Sequence, residues 1–494
     1  VTGDRVAESA ASRAATVAVL GLIGVAMVYR IDDMDVWWLL RSGAYMVETR
    51  SFPTTDPFSW SASGAEWVNH AWAFQLMLYA AWRLGGTTGL IALQAVFAVL
   101  TFWVLFRLLR AEGLPAGWAR LVVAVGALAT WGFWSPRPQV LTYFLLATFW
   151  AILRRYRDGQ GDRLVWLPVL TVVWANFHGA YMVGLALIGL CLAGLLVDRT
   201  LRSEPGGPAG GAAPGRLALA GAACCLATLA TPFHYKAVLF PFQVLTDRFA
   251  RATIIEWASP GFQYGQIRVV EGLVLVTLVL LVLSPRRLRA LDAIVLAAFF
   301  HFGLQAVRNV PLLVVVLLPI LARTAHEVAL ERGPAWIVRS GLDPRRAVLG
   351  FTAVALVAAV WWTVPARPTW YFVPRLGVSD IFPAGAVEYL KQHRPAGPLF
   401  NDYGWGGYLV WRLYPDYRVG IDGRAAVYGP RRFAEYAEIA DLRPRWRETL
   451  DASPARLALI KTGSALAIAL RAAPDWQVLY EDRLAVVLAK RGSS

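Results

Sequence analysis

Apolar residues run in long unbroken stretches through the first three quarters of the chain and give way to short alternations in the last quarter. Eleven apolar runs are readable, near residues 14–30, 87–106, 120–134, 138–153, 164–177, 179–197, 216–231, 270–284, 291–306, 309–323 and 347–364. Runs of about 16 to 20 residues suit helices that cross a hydrocarbon core of about 30 Å. The pattern therefore predicts a polytopic α-helical membrane protein with about 11 transmembrane helices. A polar break, Asn176-Phe177-His178-Gly179, falls between the fifth and sixth runs at the expected membrane edge.

From about residue 366 the periodicity changes. Apolar stretches shorten to strand length at 398–401, 417–422, 457–461 and 484–489. Helical patterns lie between them, at 383–393, 407–414 and 430–440. Strands alternating with helices predict a small α/β domain over 366–494, following a transmembrane domain over 1–365. No internal repeat is evident at the usual periods.

Composition supports the membrane reading. The chain is 57% hydrophobic and only 16% charged, against roughly 25% charged in soluble domains, and its mean hydropathy is +0.48. The formal charge of +15 does not point to nucleic acid, because the excess arginine sits in short loops between apolar runs. Arg107, Arg110 and Arg120 share one loop, Arg154, Arg155, Arg157 and Arg163 another, and Arg286, Arg287 and Arg289 a third. These are alternate loops, as the positive-inside rule requires if the N-terminus is cytoplasmic. An odd number of spans in the cytoplasmic (inner) membrane then puts the C-terminal domain outside. The Gly/Pro/Ala stretch 204–215 reads as a flexible cytoplasmic linker. The first run, preceded by Arg5 and Arg13, reads as a retained span, not a cleaved signal. Cys191, Cys224 and Cys225 all lie in apolar runs, with neither a disulfide framework nor metal-ligand spacing.

The strongest chemical signal lies in the first outer loop, 31–72. It carries Asp32, Asp33 and Asp35 beside Trp37 and Trp38, then Phe52-Pro53-Thr54-Thr55-Asp56-Pro57-Phe58-Ser59, then Trp67-Val68-Asn69-His70-Ala71-Trp72. Carboxylates at a membrane surface cost solvation energy unless they are paired, metal-bound or in use. In a helix beginning here, Asp32 and Asp35 share a face and Asp33 points elsewhere. Such a group can act as a general base; the plainer alternative is a cap on a helix N-terminus.

Candidate cations stand at the outer ends of four other runs: Arg137 between two prolines, His178 in the polar break, His234 and Lys236 after Thr231-Pro232-Phe233, and Arg308. Their shared placement predicts one cavity able to hold an anionic group. Snorkelling arginines and structurally bonded histidines are the plain alternatives. Glu256, in the long outer loop after the seventh run, is a candidate second carboxylate that can orient an acceptor, help hold a metal or form a packing ion pair. His70 with Asn69 can order the first loop. Trp38, with Trp37, Trp67 and Trp72, can stack a sugar or line a lipid groove. Most of the 22 tryptophans fit an interfacial belt. Gly404, Gly406 and Gly407 lack phosphate-loop spacing, and Asp422-Gly423-Arg424 reads as a strand-end turn that can face the catalytic cavity.

This combination resembles the GT-C superfamily of integral membrane glycosyltransferases. Asp33-x-Asp35-x-Trp37-Trp38, Pro53-x-x-Asp56-Pro57-Phe58-Ser59 and Trp67-x-Asn69-His70-x-Trp72 look like bacterial relatives of the dolichyl-phosphate-mannose protein mannosyltransferases. Asn401-Asp402-Tyr403-x-Trp405-Gly406-Gly407-Tyr408 and Ile421-Asp422-Gly423-Arg424 look like the outer domain of that group. The resemblance implies a sugar donor carried on polyprenyl phosphate and an acceptor that is a protein, glycan or lipid. It implies inverting substitution at the anomeric carbon. Asp33 or Asp35 would be the base, and cations would steady the departing lipid phosphate. Some members require a divalent metal ion and others do not. Two rival readings come from other classes. A transporter or flippase of lipid-linked glycans wants ionisable groups near the bilayer midplane and often inverted repeats. A non-catalytic scaffold with an outer binding domain would tolerate loss of the first-loop carboxylates.

Overall fold

The computed structural model of the chain describes residues 9–201, 212–246, 254–263, 265–284, 286–331 and 376–492. Twelve helices precede the C-terminal sheet domain among these residues: α1 (Ala10–Ala26), α2 (Asp35–Thr49), α3 (Trp72–Ala111), α4 (Ala116–Ala129), α5 (Gln139–Arg157), α6 (Trp166–Phe177), α7 (Tyr181–Leu201), α8 (Pro214–Ala227), α9 (Tyr235–Thr246), α10 (Gly265–Leu283), α11 (Ala290–Gln305) and α12 (Val310–Glu331). Ten of the eleven expected runs fall on these helices. The eleventh, 347–364, lies outside the described residues, as does most of the 204–215 linker. Among the described residues, three helices are long and apolar enough to cross a membrane, namely Trp72–Ala111, Tyr181–Thr200 and Val307–Glu331, with five shorter apolar helices beside them.

The run expected at 87–106 is only the second part of α3. The helix begins at Trp72 and kinks where Gly85 and Gly86 leave helical geometry. Its first part carries Gln75, Trp82 and Arg83 among apolar residues, so hydropathy alone does not reveal it.

α2 is the element that organises the first loop. The Asp33 carboxylate accepts the backbone N–H of Asp35 at 2.9 Å. This bond satisfies one of the unpaired donors at the helix start. An acidic residue in the first turn also suits the helix dipole. Val36, Trp37, Leu39, Leu40 and Ala44 form the buried face, and Arg50 ends the helix in the left-handed region with φ of 51°.

The C-terminal domain is a four-stranded sheet of order β1-β2-β4-β3, with β1 (Leu399–Asn401), β2 (Leu457–Lys461), β3 (Trp476–Glu481) and β4 (Ala485–Lys490). β1 pairs with β2 in parallel; the other pairs are antiparallel. Five helices accompany it: α13 (Ala384–His393), α14 (Gly406–Leu413), α15 (Ala425–Ala440), α16 (Trp446–Ala452) and α17 (Ala465–Ala472). Alternation along the strands splits their side chains between two cores. Ala458, Ile460, Val486 and Leu488 join Trp476, Ile439 and Leu450 in one. Leu457, Leu459 and Val487 join a larger cluster that continues through α14 into the first loop and the helices.

The strand expected at 417–422 does not form. Its backbone is claimed by other partners. Gly420 and Ile421 donate to the Asn401 side-chain oxygen, and Asn401 Nδ2 donates back to the Ile421 carbonyl. Trp60 N–H donates to the Val419 carbonyl and Val419 N–H to that of Phe58. Only single bridges remain, Val419 to Ser59 and Val419 to Leu399. These bonds bind the first loop to the edge of the sheet. β3 was not expected from the sequence, because its exposed Gln477 and Glu481 break the apolar pattern.

Candidate active site

Arg137 sits between Pro136 and Pro138, which restrict the backbone on both sides, immediately before α5. Its guanidinium reaches three carboxylates from two separate loops. Nη1 lies 2.9 Å from Asp33 Oδ2 and 2.6 Å from Glu256 Oε1, and Nη2 lies 2.8 Å from Asp35 Oδ2. Glu256 arrives on a single 3-10 turn, Ile255–Trp257. The N–H of Val307 holds that loop by donating to the Ala258 carbonyl at 2.9 Å. This bond also fixes the turn Val307–Asn309 that carries Arg308. Arg308 stacks over Trp257 at 4.6 Å. Its nearest carboxylate oxygen, Glu256 Oε2, is 4.0 Å away. It is therefore the cation of the cluster with the least anionic compensation.

Asp35 is held from three sides. Trp38, one turn along α2, donates its indole N–H to Oδ1 at 2.9 Å, and Arg137 engages Oδ2. The turn at Gly423 closes over Oδ1, where a Cβ on residue 423 would overlap that oxygen. Burial pushes the Asp35 carboxyl up to about 6 despite Arg137, with Asp33 and Glu256 adding to the rise. Glu256 moves the other way: burial would raise it, but Arg137 and then Arg308 hold it below the usual range. Asp35 and Glu256, on one guanidinium, are thus shifted in opposite directions, the pattern of a site that needs one base near neutral pH.

The expected pairing of Asp32 with Asp35 is corrected. α2 begins at Asp35, so Asp33 lies outside the helix and folds back onto it, while Asp32 is exposed. Asp33 and Asp35 converge on Arg137; Asp32 does not.

His178 and His70 form a second buried polar group. Thr142 Oγ1 lies 2.7 Å from His178 Nδ1 and accepts the indole N–H of Trp174 at 2.9 Å. The Thr142 hydroxyl keeps its own proton free to donate to Nδ1, an arrangement in which the neutral ring carries its proton on Nε2. His70 stacks on Phe240 at 4.4 Å, with its ring centre 6.4 Å from that of His178. Burial lowers His70 to about 4 and His178 well below its ordinary value, and the charge of Arg308 adds to both shifts. Both rings are neutral at pH 7, so neither supplies positive charge. Asn69 exchanges two buried hydrogen bonds with Gln75, at 2.9 and 2.6 Å, and fixes the loop beside His70.

His234 and Lys236 are not brought to the carboxylates. Both are exposed. His234 Nδ1 lies 3.2 Å from the Leu229 carbonyl, and Lys236 Nζ pairs with Glu66 at 2.5 Å. The sequence placed them at the correct end of a helix but did not fix which way α9 presents them.

The sequence reading places Arg424 in a turn that can face the cavity but does not show that it joins the first loop to the C-terminal domain. Its guanidinium is buried between Asp56, at 2.5 Å, and Asp422, at 2.6 Å, and stacks over Phe58 at 5.0 Å and Trp67 at 4.9 Å. Tyr428 donates to Asp422 at 2.8 Å. Asp56 in turn accepts the backbone N–H groups of Phe58 and Ser59, at 3.0 and 3.1 Å, and the Ser59 hydroxyl. The available signal was the pair of Asp-containing turns, Asp56-Pro57-Phe58-Ser59 and Asp422-Gly423-Arg424.

Among the described residues, no three His, Cys, Asp or Glu side chains are grouped to hold a metal ion. Asp33, Asp35 and Glu256 direct their oxygens at the Arg137 guanidinium, which takes the place a cation would have among them. The residues present do not fit a resident divalent ion.

The helical array with its C-terminal sheet domain is similar in fold to solved structures of an oligosaccharyltransferase and of ArnT. The oligosaccharyltransferase AglB from Archaeoglobus fulgidus, solved with an inhibitory peptide and a dolichol-phosphate, aligns over 98% of this chain and 75% of its own. The TM-score is 0.62 and the identity 10%. ArnT from Cupriavidus metallidurans, solved in the apo state, aligns over 97% of both chains with a TM-score of 0.52 and 16% identity. No sequence-family model and no curated protein matches the chain.

Proposed function

We propose that this protein is a glycosyltransferase of the cytoplasmic membrane, moving a sugar from a polyprenyl-phosphate-linked donor to an acceptor on the extracytoplasmic face. The observation that supports this most directly is the division of labour around Arg137. One carboxyl, Asp35, is raised to about 6 while its neighbour Glu256 is held more acidic, and Arg308 stands beside them with its nearest carboxylate oxygen 4.0 Å away. The fold likeness to AglB, solved with a dolichol-phosphate, agrees with a lipid-phosphate donor.

In this reading Asp35 is the general base. With a pKa of about 6 it is roughly nine-tenths ionised at pH 7, and its conjugate acid is strong enough to release the proton again. The acceptor O–H or N–H gives its proton to Asp35 as the acceptor atom attacks the anomeric carbon. The bond from that carbon to the phosphate oxygen breaks, its electron pair leaves with the polyprenyl phosphate, and the configuration inverts. Arg308 meets the charge developing on the leaving group. Arg137 and Asp33 hold Asp35 in place, and Glu256 sets the loop that positions Arg308.

The test is transfer from radiolabelled polyprenyl-phosphate sugars in membranes. D35N is expected to abolish transfer with expression unchanged, and D33N to reduce it partially. Equal transfer by wild type and D35N would remove Asp35 from the mechanism. The flippase and scaffold readings place no demand on a raised carboxyl at the mouth of the site.

A further inference from the structure

The end of the helices opposite the carboxylates holds a second concentration of charge. Arg137 precedes α5, whereas Arg154, Arg155 and Arg157 close it, about 24 Å further along at 1.5 Å per residue. Most groups there are matched. Arg154, with its side chain fully buried, binds Glu112 and Asp292, and Arg157 binds Asp292 and Asp158. Asp158 also takes Arg289, and Asp162 takes Arg216.

Several arginines there, Arg110, Arg199 and Arg287 among them, have no carboxylate partner among the described residues, and three more share one cleft. Among the described residues, Arg107, Arg155 and Arg163 have no carboxylate within ion-pair distance. Arg107 only stacks on Trp103, at 5.7 Å, and Arg155 only reaches the Gln160 carbonyl, at 3.5 Å. All three line one cleft of about 420 Å³ between α3, α5 and α6. Leu108 and Ile152 give it an apolar wall. Trp103 and Trp166, 43% and 55% exposed, flank it.

We propose that this cleft binds the headgroup of an anionic phospholipid, with its phosphate among the three guanidinium groups and an acyl chain along the apolar wall. Guanidinium groups that lack carboxylates match a phosphate in charge and in hydrogen-bond geometry. Exposed tryptophans belong at the level of lipid headgroups, and basic pockets between helices are suited to anionic lipids. A zwitterionic lipid offers the same phosphate but adds an ammonium that the arginines repel. A soluble anion makes no use of the apolar wall. The inference is independent of the reaction proposed above, since its residues lie at the other end of α5.

Purified full-length protein in detergent, titrated with phosphatidylglycerol and phosphatidylcholine and read by native mass spectrometry, tests it. Wild type is expected to retain phosphatidylglycerol in preference to phosphatidylcholine. R107Q, R155Q and R163Q should each weaken that binding about fivefold, and the triple variant on the order of 100-fold. The single variants keep the test decisive if the triple variant fails to fold. Unchanged phosphatidylglycerol binding in the variants, or equal retention of the two lipids by wild type, would overturn the assignment. So would polyprenyl phosphate displacing phosphatidylglycerol from wild type with the same dependence on the arginines, which would make the cleft a carrier-lipid site. Displacement by inorganic phosphate at equal concentration would reduce it to an anion site and overturn the lipid assignment as well.

Discussion

Gly423 rests directly against the Asp35 carboxylate, so that a methyl group at position 423 would occupy the space of Oδ1 and crowd Trp38 Nε1. Asp35 begins α2 in the first loop, and Gly423 stands in the turn after the bridge at Val419. The contact between them joins the two halves of the candidate site. G423A is expected to displace Asp35 from Trp38 and Arg137 and to lower transfer about tenfold or more. An overpacking cost of about 1–3 kcal/mol in thermal unfolding should accompany it. Wild-type transfer by G423A would show that the turn does not set the position of the carboxylate.

The raised Asp35 carboxyl gives the reaction a pH signature. Its base form is lost on acidification, so kcat/KM should rise with pH through a midpoint near 6. Removing the negative charge of Asp33 lowers the Asp35 pKa, so any residual activity of D33N should have its rising limb moved to lower pH. R137Q removes the charge that opposes the rise and should move the limb upward. The stability sign follows separately. The Asp35 contribution is fully present below the ordinary carboxylate range and is lost as pH rises through about 6. A pH profile with no limb between about 5 and 7 would exclude Asp35 as the titrating base.

The buried Asp56–Arg424–Asp422 group predicts an effect on stability. Replacing Arg424 with Gln leaves two buried carboxylates without their cation, which typically costs about 3–5 kcal/mol. Thermal unfolding in detergent should show that loss, with R424K recovering only part, because lysine cannot span both carboxylates in the same planar geometry. A change within about 0.5 kcal/mol would mean that solvent reaches the group.

Arg308 and Arg137 should separate kinetically. R308Q removes the cation with the least anionic compensation and is expected to raise the KM for the lipid-phosphate donor about tenfold or more, with little change in melting temperature. R137Q leaves Asp33, Asp35 and Glu256 facing one another without their shared partner, so it should lower kcat and stability together. Identical kinetic profiles for the two variants would contradict their separate roles.

The apolar runs carried most of the fold. The run expected at 138–153 falls on α5 and that at 291–306 on α11. An unbroken apolar stretch of that length is stable as a helix buried in protein or lipid, where its backbone groups bond within the segment. The first part of α3 was hidden by its mixed composition. The segment 417–422 looked like a strand because β-branched residues alternate there, but the Asn401 amide and the backbone at Phe58 and Trp60 take up its hydrogen bonds. For the site, Asp33, Asp35, Arg137, Glu256 and Arg308 were legible as charged groups at one membrane edge, and the structure brings them together. The register of the acids was not legible, since it turns on Asp33 folding back to the Asp35 N–H. Nor was Arg424, whose partner Asp56 lies 368 positions away in the chain.

That separation has a bearing on how the protein is made. The ribosome delivers the carboxylates of the first loop well before the turn that closes over Asp35 and the arginine that anchors Asp56, which follows Asp56 by 368 positions. A nascent or truncated polypeptide therefore carries the acidic residues without their closed setting. The candidate site takes its closed form only when the segment around Gly423 and Arg424 reaches the first loop.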